Sequence, residues 1–246
     1  FDKIIASKMF SLEVFSVYGL TFNISAQIAA IMTTSIMMSV QPVLAELLAK
    51  NDEARTRRFY HAFSQFNSLV VFSSLGALAV FPEPVLKLWL GASSPLVAPM
   101  VELLPYVLIG TILNALAAAP YLLQMAAGWV RFKLIMNTTQ VVIFILAVPF
   151  VLPAYGMIGG AVLWITINAA YILIEAPIVH RRYLRGALTS WWLRDTALPG
   201  GLAFGLFVIA KYTLPAFDSP LFETLKLALL AGLVAVILLT VLPLAR

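Results

Sequence analysis

Stretches of about twenty mainly apolar residues, each long enough to cross a bilayer, recur along nearly the whole chain. They fall at 12–44, 63–81, 99–127, 134–153, 156–179, 199–217 and 221–244. Backbone groups placed in lipid must find their hydrogen bonds within the segment, so this pattern dictates helices. The expected fold class is therefore all-α, a polytopic membrane helix bundle of about seven transmembrane helices. Composition agrees: 62% of the 246 residues are apolar and 11% charged, whereas soluble domains carry about 45–50% and about 25%. A soluble fold of this composition would expose large apolar patches. The sixth stretch is the weakest, with Lys211 inside it and Pro215 near its end, although a Lys near the interface can snorkel. The sequence opens in mid-pattern at Phe1, with no charged n-region before its first apolar stretch, as expected of a C-terminal piece of a longer protein.

Basic residues alternate with the spans. Lys50, Arg55, Arg57 and Arg58, then Arg131 and Lys133, then Arg181, Arg182, Arg185 and Arg194, and finally Arg246 fall on one side. Only Lys3, Lys8, Lys87, Lys211 and Lys226 fall on the other. The positive-inside rule makes the first side, and the C-terminus, cytoplasmic. The net charge of +5 is then topology and contact with anionic membrane lipids, not a nucleic-acid footprint. Trp89, Trp129, Trp191 and Trp192 fall at the expected interfaces, and Trp164 falls mid-span.

Polar residues inside spans mark sides that face protein or water. Ser16, Asn23, Gln27, Thr34 and Gln41 lie within an arc of about 40° on a helix. Two readings fit this stripe, a wet cavity wall and interhelical hydrogen-bond glue, and its length favours the wall. The first helix is too long for the membrane and is expected to project beyond it, bent at Pro42, with Leu44–Arg58 charged on one side. In the third stretch Tyr106, Gly110, Asn114, Tyr121 and Gln124 share an arc of about 80°. In the fifth, Asn168, Tyr171 and Glu175 share a face. Glu175 is either a functional acid with a cationic partner or an interfacial acid paired with His180 or Arg181. Stretches six and seven carry no polar stripe, and Gly201-x-x-x-Gly205 suggests close helix packing there.

Cysteine is absent and the two histidines, His61 and His180, are far apart, so no metal or cofactor site and no catalytic constellation is legible. Asp52-Glu53 reads as a solvated turn. The chain is not expected to be an enzyme.

Five strings in order resemble the polysaccharide-transporter branch of the multidrug/oligosaccharidyl-lipid/polysaccharide exporter superfamily. They are Phe1-Asp2-Lys3 with Val17-Tyr18-Gly19-Leu20, and Gln41-Pro42-Val43-Leu44-Ala45-Glu46-Leu47 with Asn51-Asp52. The others are Leu86-Lys87-Leu88-Trp89-Leu90-Gly91, Pro120-Tyr121 followed by Gln124, Ala126, Gly128 and Arg131, and Tyr155-Gly156-Met157-Ile158-Gly159-Gly160-Ala161. The resemblance implies the second lobe of a 14-helix exporter, in which 1–190 forms the lobe and 191–246 two accessory helices. It also implies a flippase of the bacterial inner membrane that moves a polyprenyl-pyrophosphate-linked oligosaccharide for polysaccharide biosynthesis. The partners implied are that lipid-linked oligosaccharide, membrane lipids and a polymerase or glycosyltransferase complex.

Candidate cavity residues are Lys3, Asn23, Gln27, Thr34, Gln41, Asn114, Tyr121, Gln124, Arg131 and Glu175. Lys3 and Arg131 are expected at the outer and inner ends of the path, where the Arg131 fork suits a pyrophosphate. A multidrug or lipid II exporter is the nearest alternative. A seven-helix receptor or a scaffold is the alternative from another class.

Overall fold

The computed structural model describes residues 7, 8, 10–217 and 219–242, without the side chains of 32–36. No strand occurs among these residues. The helices are α1 (Leu12–Ala49), α2 (Glu53–Val80), the short α3 (Pro82–Leu90), α4 (Val97–Ala126), α5 (Val130–Tyr183), α6 (Leu188–Thr213) and α7 (Pro220–Val241). Six of them are long and apolar enough to cross a membrane, which fits a multi-pass membrane protein.

Helix α5 decides the architecture. At 1.5 Å per residue its ends would stand about 80 Å apart if it were straight. Gly156, at φ 62° and ψ −150°, interrupts it. Residues before and after the break then meet: Lys133 lies 3.5 Å from Glu175 although 42 residues separate them. The helix therefore doubles back into a hairpin, with arms 130–155 and 157–183. The crossing is tight, since a Cβ at Gly159 would come within 3.0 Å of the Val151 carbonyl oxygen. The backbone conformation at Gly156 is essentially restricted to glycine.

Helix α4 packs along both α5 and α1. Tyr18, fully buried, fills the space that a Cβ on Gly160 would need, and Trp164 does the same above Gly110. Ser25 and Thr111 share a 2.7 Å hydrogen bond, and Trp164 Nε1 donates to Thr111 Oγ1 at 3.3 Å. Helices α6 and α7 bury Ala203, Phe207, Val234 and Leu238 against Leu69 and Ala77 of α2.

The basic clusters gather at one end of the bundle. Arg57 Nη2 donates to the Arg185 carbonyl at 2.7 Å, and the Arg182 guanidinium covers the Trp129 ring. Lys87, Lys211 and Lys226 share a cavity at the other end.

Several expectations need correction. Helix α1 stays helical through Pro42 but stops at Ala49. Asp52 caps the next helix by accepting from the Arg55 N–H, so residues 53–58 open α2 and do not extend α1. Gly201 and Gly205 meet no neighbour. They lie off the buried face of α6, which Ala203, Phe207 and Ala210 form. The close approach is at Gly200, against the Phe72 ring. Trp191 is a core residue, 1% exposed and packed on His180. Helix α6 starts at Leu188, so the expected boundary between 190 and 191 falls inside it.

Replacing Gly156 with Ala is expected to destabilise the chain by about 1–3 kcal/mol, because a Cβ is strained at that φ. Gly201→Ala, in open helical space, should be neutral or slightly stabilising. Thermal unfolding of the two variants in the same detergent checks the contrast.

Candidate functional site

The α5 hairpin brings two charges together inside the bundle. Glu175 is fully buried and the Lys133 side chain is 13% exposed. Glu175 therefore meets Lys133, while His180 Nδ1 donates to Ala176 O at 2.6 Å and its Nε2 lies 3.0 Å from the Tyr60 hydroxyl. The Lys133 ammonium also sits 3.9 Å from the Tyr171 ring centroid and 4.7 Å from that of Tyr121. Cation–π attraction of this kind is strongest where water is excluded. Gln124, with its amide nitrogen turned to Glu175, donates to Oε1 at 2.5 Å and accepts from the Lys133 N–H at 3.1 Å. Both charges are thus neutralised and hydrogen-bonded, the condition for keeping ions in a low-dielectric interior.

Beside this pair lies a half-open cavity of about 340 Å³ between α1, α4 and the α5 hairpin. Asn114, Tyr121, Lys133, Asn137, Gln140 and Tyr171 give it a polar wall, and Ala115, Ala117 and Ala118 keep it wide. Asn114 Nδ2 donates to Asn168 Oδ1 at 2.8 Å. The buried Tyr171 hydroxyl has no hydrogen-bond partner, so the wall offers a ligand one cation and several uncharged polar groups.

Of the residues singled out from sequence, Asn114, Tyr121, Gln124 and Glu175 come together here. Lys133, by sequence only a topological anchor, is the cation of the cavity. Its signal is indirect: an acid inside a span needs a cation within reach. Arg131 is exposed and does not line the cavity. Asn23, Gln27 and Gln41 point away from this chain's own core and are exposed. On the opposite face buried Ser25 ties α1 to Thr111 of α4, while buried Thr21 donates to Val17 O of its own helix. Lys3 lies outside the described residues, and the side chain of Thr34 is not described.

A second polar cluster joins α2 to α6 at the basic end. His61 Nδ1 is 2.5 Å from Asp195 Oδ2, Gln65 Nε2 donates to Asp195 Oδ1 at 2.9 Å, and Ser190 Oγ is 3.3 Å from His61 Nε2. No sequence signal points to it, since 134 residues separate His61 from Asp195. The order Ser–His–Asp is that of a hydrolase triad. However, the Ser190 hydroxyl donates to Ala187 O at 3.0 Å. The array ties α2 to the start of α6. No group of three or more potential metal ligands occurs among the described residues.

Removing one charge of the buried pair leaves the other uncompensated. Lys133→Met and Glu175→Gln should each destabilise, the former by about 3–5 kcal/mol. The double variant should recover most of that loss, as a double-mutant cycle of unfolding free energies measures. Comparison with protein-family models, with curated proteins and with solved structures finds no match.

Proposed function

We propose that this chain is the second lobe of a membrane exporter that flips a polyprenyl-pyrophosphate-linked oligosaccharide across the bacterial inner membrane. The observation that carries the reading is the cavity in which Lys133 stands among Asn114, Asn137, Gln140 and Tyr171. A pyrophosphate needs a cation, and sugar hydroxyls need uncharged donors and acceptors without apolar specificity. The resemblance of the five strings points the same way. Counting the α5 hairpin as two spans gives seven, with the basic end and the C-terminus in the cytoplasm.

Two features suit alternating access. The outward polar face of α1 is costly against lipid and suits a water-filled path shared with a facing lobe. The Lys133–Glu175 pair is a latch: an arriving anion competes with Glu175 for the ammonium and so changes what holds the α5 arms together. Arg131 at the basic end is a first contact for the incoming headgroup, and Lys3 a last one.

In a host lacking the gene, the lipid-linked oligosaccharide should accumulate in the cytoplasmic leaflet. The complete wild-type gene should restore export. The Lys133→Gln/Glu175→Gln pair, which keeps the bundle neutral, should not, although its abundance is normal. Full export by that variant would remove Lys133 from the transport path.

Topology is checked with single cysteines, since the chain has none. Probes at Ser93 and Ala216 should react with an impermeant reagent added outside, and a probe at Ala54 should be protected until the membrane is opened. Reaction of all three from one side would contradict seven alternating spans.

A further inference from the structure

A cavity of about 700 Å³ lies at the basic end between the start of α2 and the π-helical turn Trp191–Ala197 of α6. Arg57, Arg58, His61, Gln65, Arg194 and Asp195 line it. From its contents we infer a binding site for a phosphate ester that carries a free hydroxyl, the chemistry of a glycerol- or sugar-bearing phospholipid headgroup. It is separate from the cavity at Lys133.

The charges in the cavity are of two kinds. The acids are occupied: Asp195, 1% exposed, is held by His61 and Gln65, and Glu53 pairs with Arg57 at 3.4 Å. The same Arg57 is anchored on Arg185 O. The side chains of Arg58 and Arg194 make no hydrogen bond or ion pair with any described residue. Two guanidinium forks thus face a space in which the negative charge is already neutralised. Such forks match phosphate oxygens in pairs.

The second requirement comes from Gln65, which is 4% exposed. Its amide nitrogen is spent on Asp195, and its Oε1 is buried without a partner. A buried acceptor left unpaired keeps the full penalty of its lost hydration. A hydroxyl next to the phosphate supplies the missing donor. The π-helical turn matters because it shifts the register of α6, and extra residues of this kind cluster at functional positions. Here the turn itself carries both Arg194 and Asp195.

The probe is phosphatidylglycerol, whose headgroup has one anionic phosphate and a glycerol hydroxyl. The full chain is extracted from nanodiscs of phosphatidylcholine mixed with phosphatidylglycerol, and native mass spectrometry counts the phosphatidylglycerol retained. The wild type should retain it. The pair Arg58→Gln/Arg194→Gln should reduce apparent affinity by about tenfold or more. The pair Arg55→Gln/Arg181→Gln removes the same charge from the same end, outside the cavity, and should leave retention unchanged. Equal loss from both pairs, or from neither, would overturn the site, because diffuse positive charge would then suffice. Phosphatidylethanol has the same charge without the free hydroxyl and should be retained less well. Equal retention of the two lipids would overturn the role of Gln65. Displacement by soluble glycerol 1-phosphate would support the site and make the headgroup alone the ligand. Retention in its presence would support it and require the lipid tails.

Discussion

Lys133 and Glu175 meet across the two arms of α5, and the rest of the bundle is arranged so that they can. The contact is possible only because Gly156 turns the helix back on itself. Gln124 reaches in from α4 to donate to the Glu175 carboxylate and to accept from the Lys133 backbone N–H. Tyr121 and Tyr171 then present ring faces to the ammonium, so its remaining surface is not left against bare hydrocarbon. A pair buried this deeply is weak evidence for stability, since apolar residues of similar size commonly do as well.

The same logic governs α1. Its inward face ties to α4 through Ser25 and Thr111 and to α5 through Tyr18 at Gly160. Its outward face carries Asn23, Gln27 and Gln41, exposed on this chain. Polar side chains in a line across a membrane are expensive where lipid covers them and inexpensive where water or protein does. The two polar faces of α1 thus differ in surroundings: one packs against α4 and α5, and the other is exposed on this chain.

The apolar stretches and the alternation of basic loops make the helical bundle legible from the residues alone. Both signals come from solvent partition, and that acts locally along the chain. The break between the fourth and fifth stretches is readable for the same reason, and Gly156 shows how it is made. Glu175 is legible as an anomaly, because one acid inside a span stands out, but its partner is not. Lys133 sits among residues that orient the chain, and nothing in the sequence distinguishes an anchor from a buried cation. The pairing of His61 with Asp195 is illegible altogether, since it depends on how α2 meets the start of α6. The small-residue spacing at Gly201 and Gly205 misleads because spacing says which residues share a face and not whether that face is covered. Ala203 and Phe207 decide that, on the opposite side.

Translocation by the full-length chain in proteoliposomes tests the transport reading most directly. A fluorescent polyprenyl-pyrophosphate oligosaccharide is placed in both leaflets, and an impermeant quencher reads the fraction that reaches the outer one. The wild type should render the inner pool accessible far faster than protein-free vesicles do. Ala118→Trp, which fills the cavity beside Lys133, should slow it to the protein-free rate. Wild-type exchange no faster than in empty vesicles, or an Ala118→Trp variant as fast as wild type, would contradict transport through this cavity.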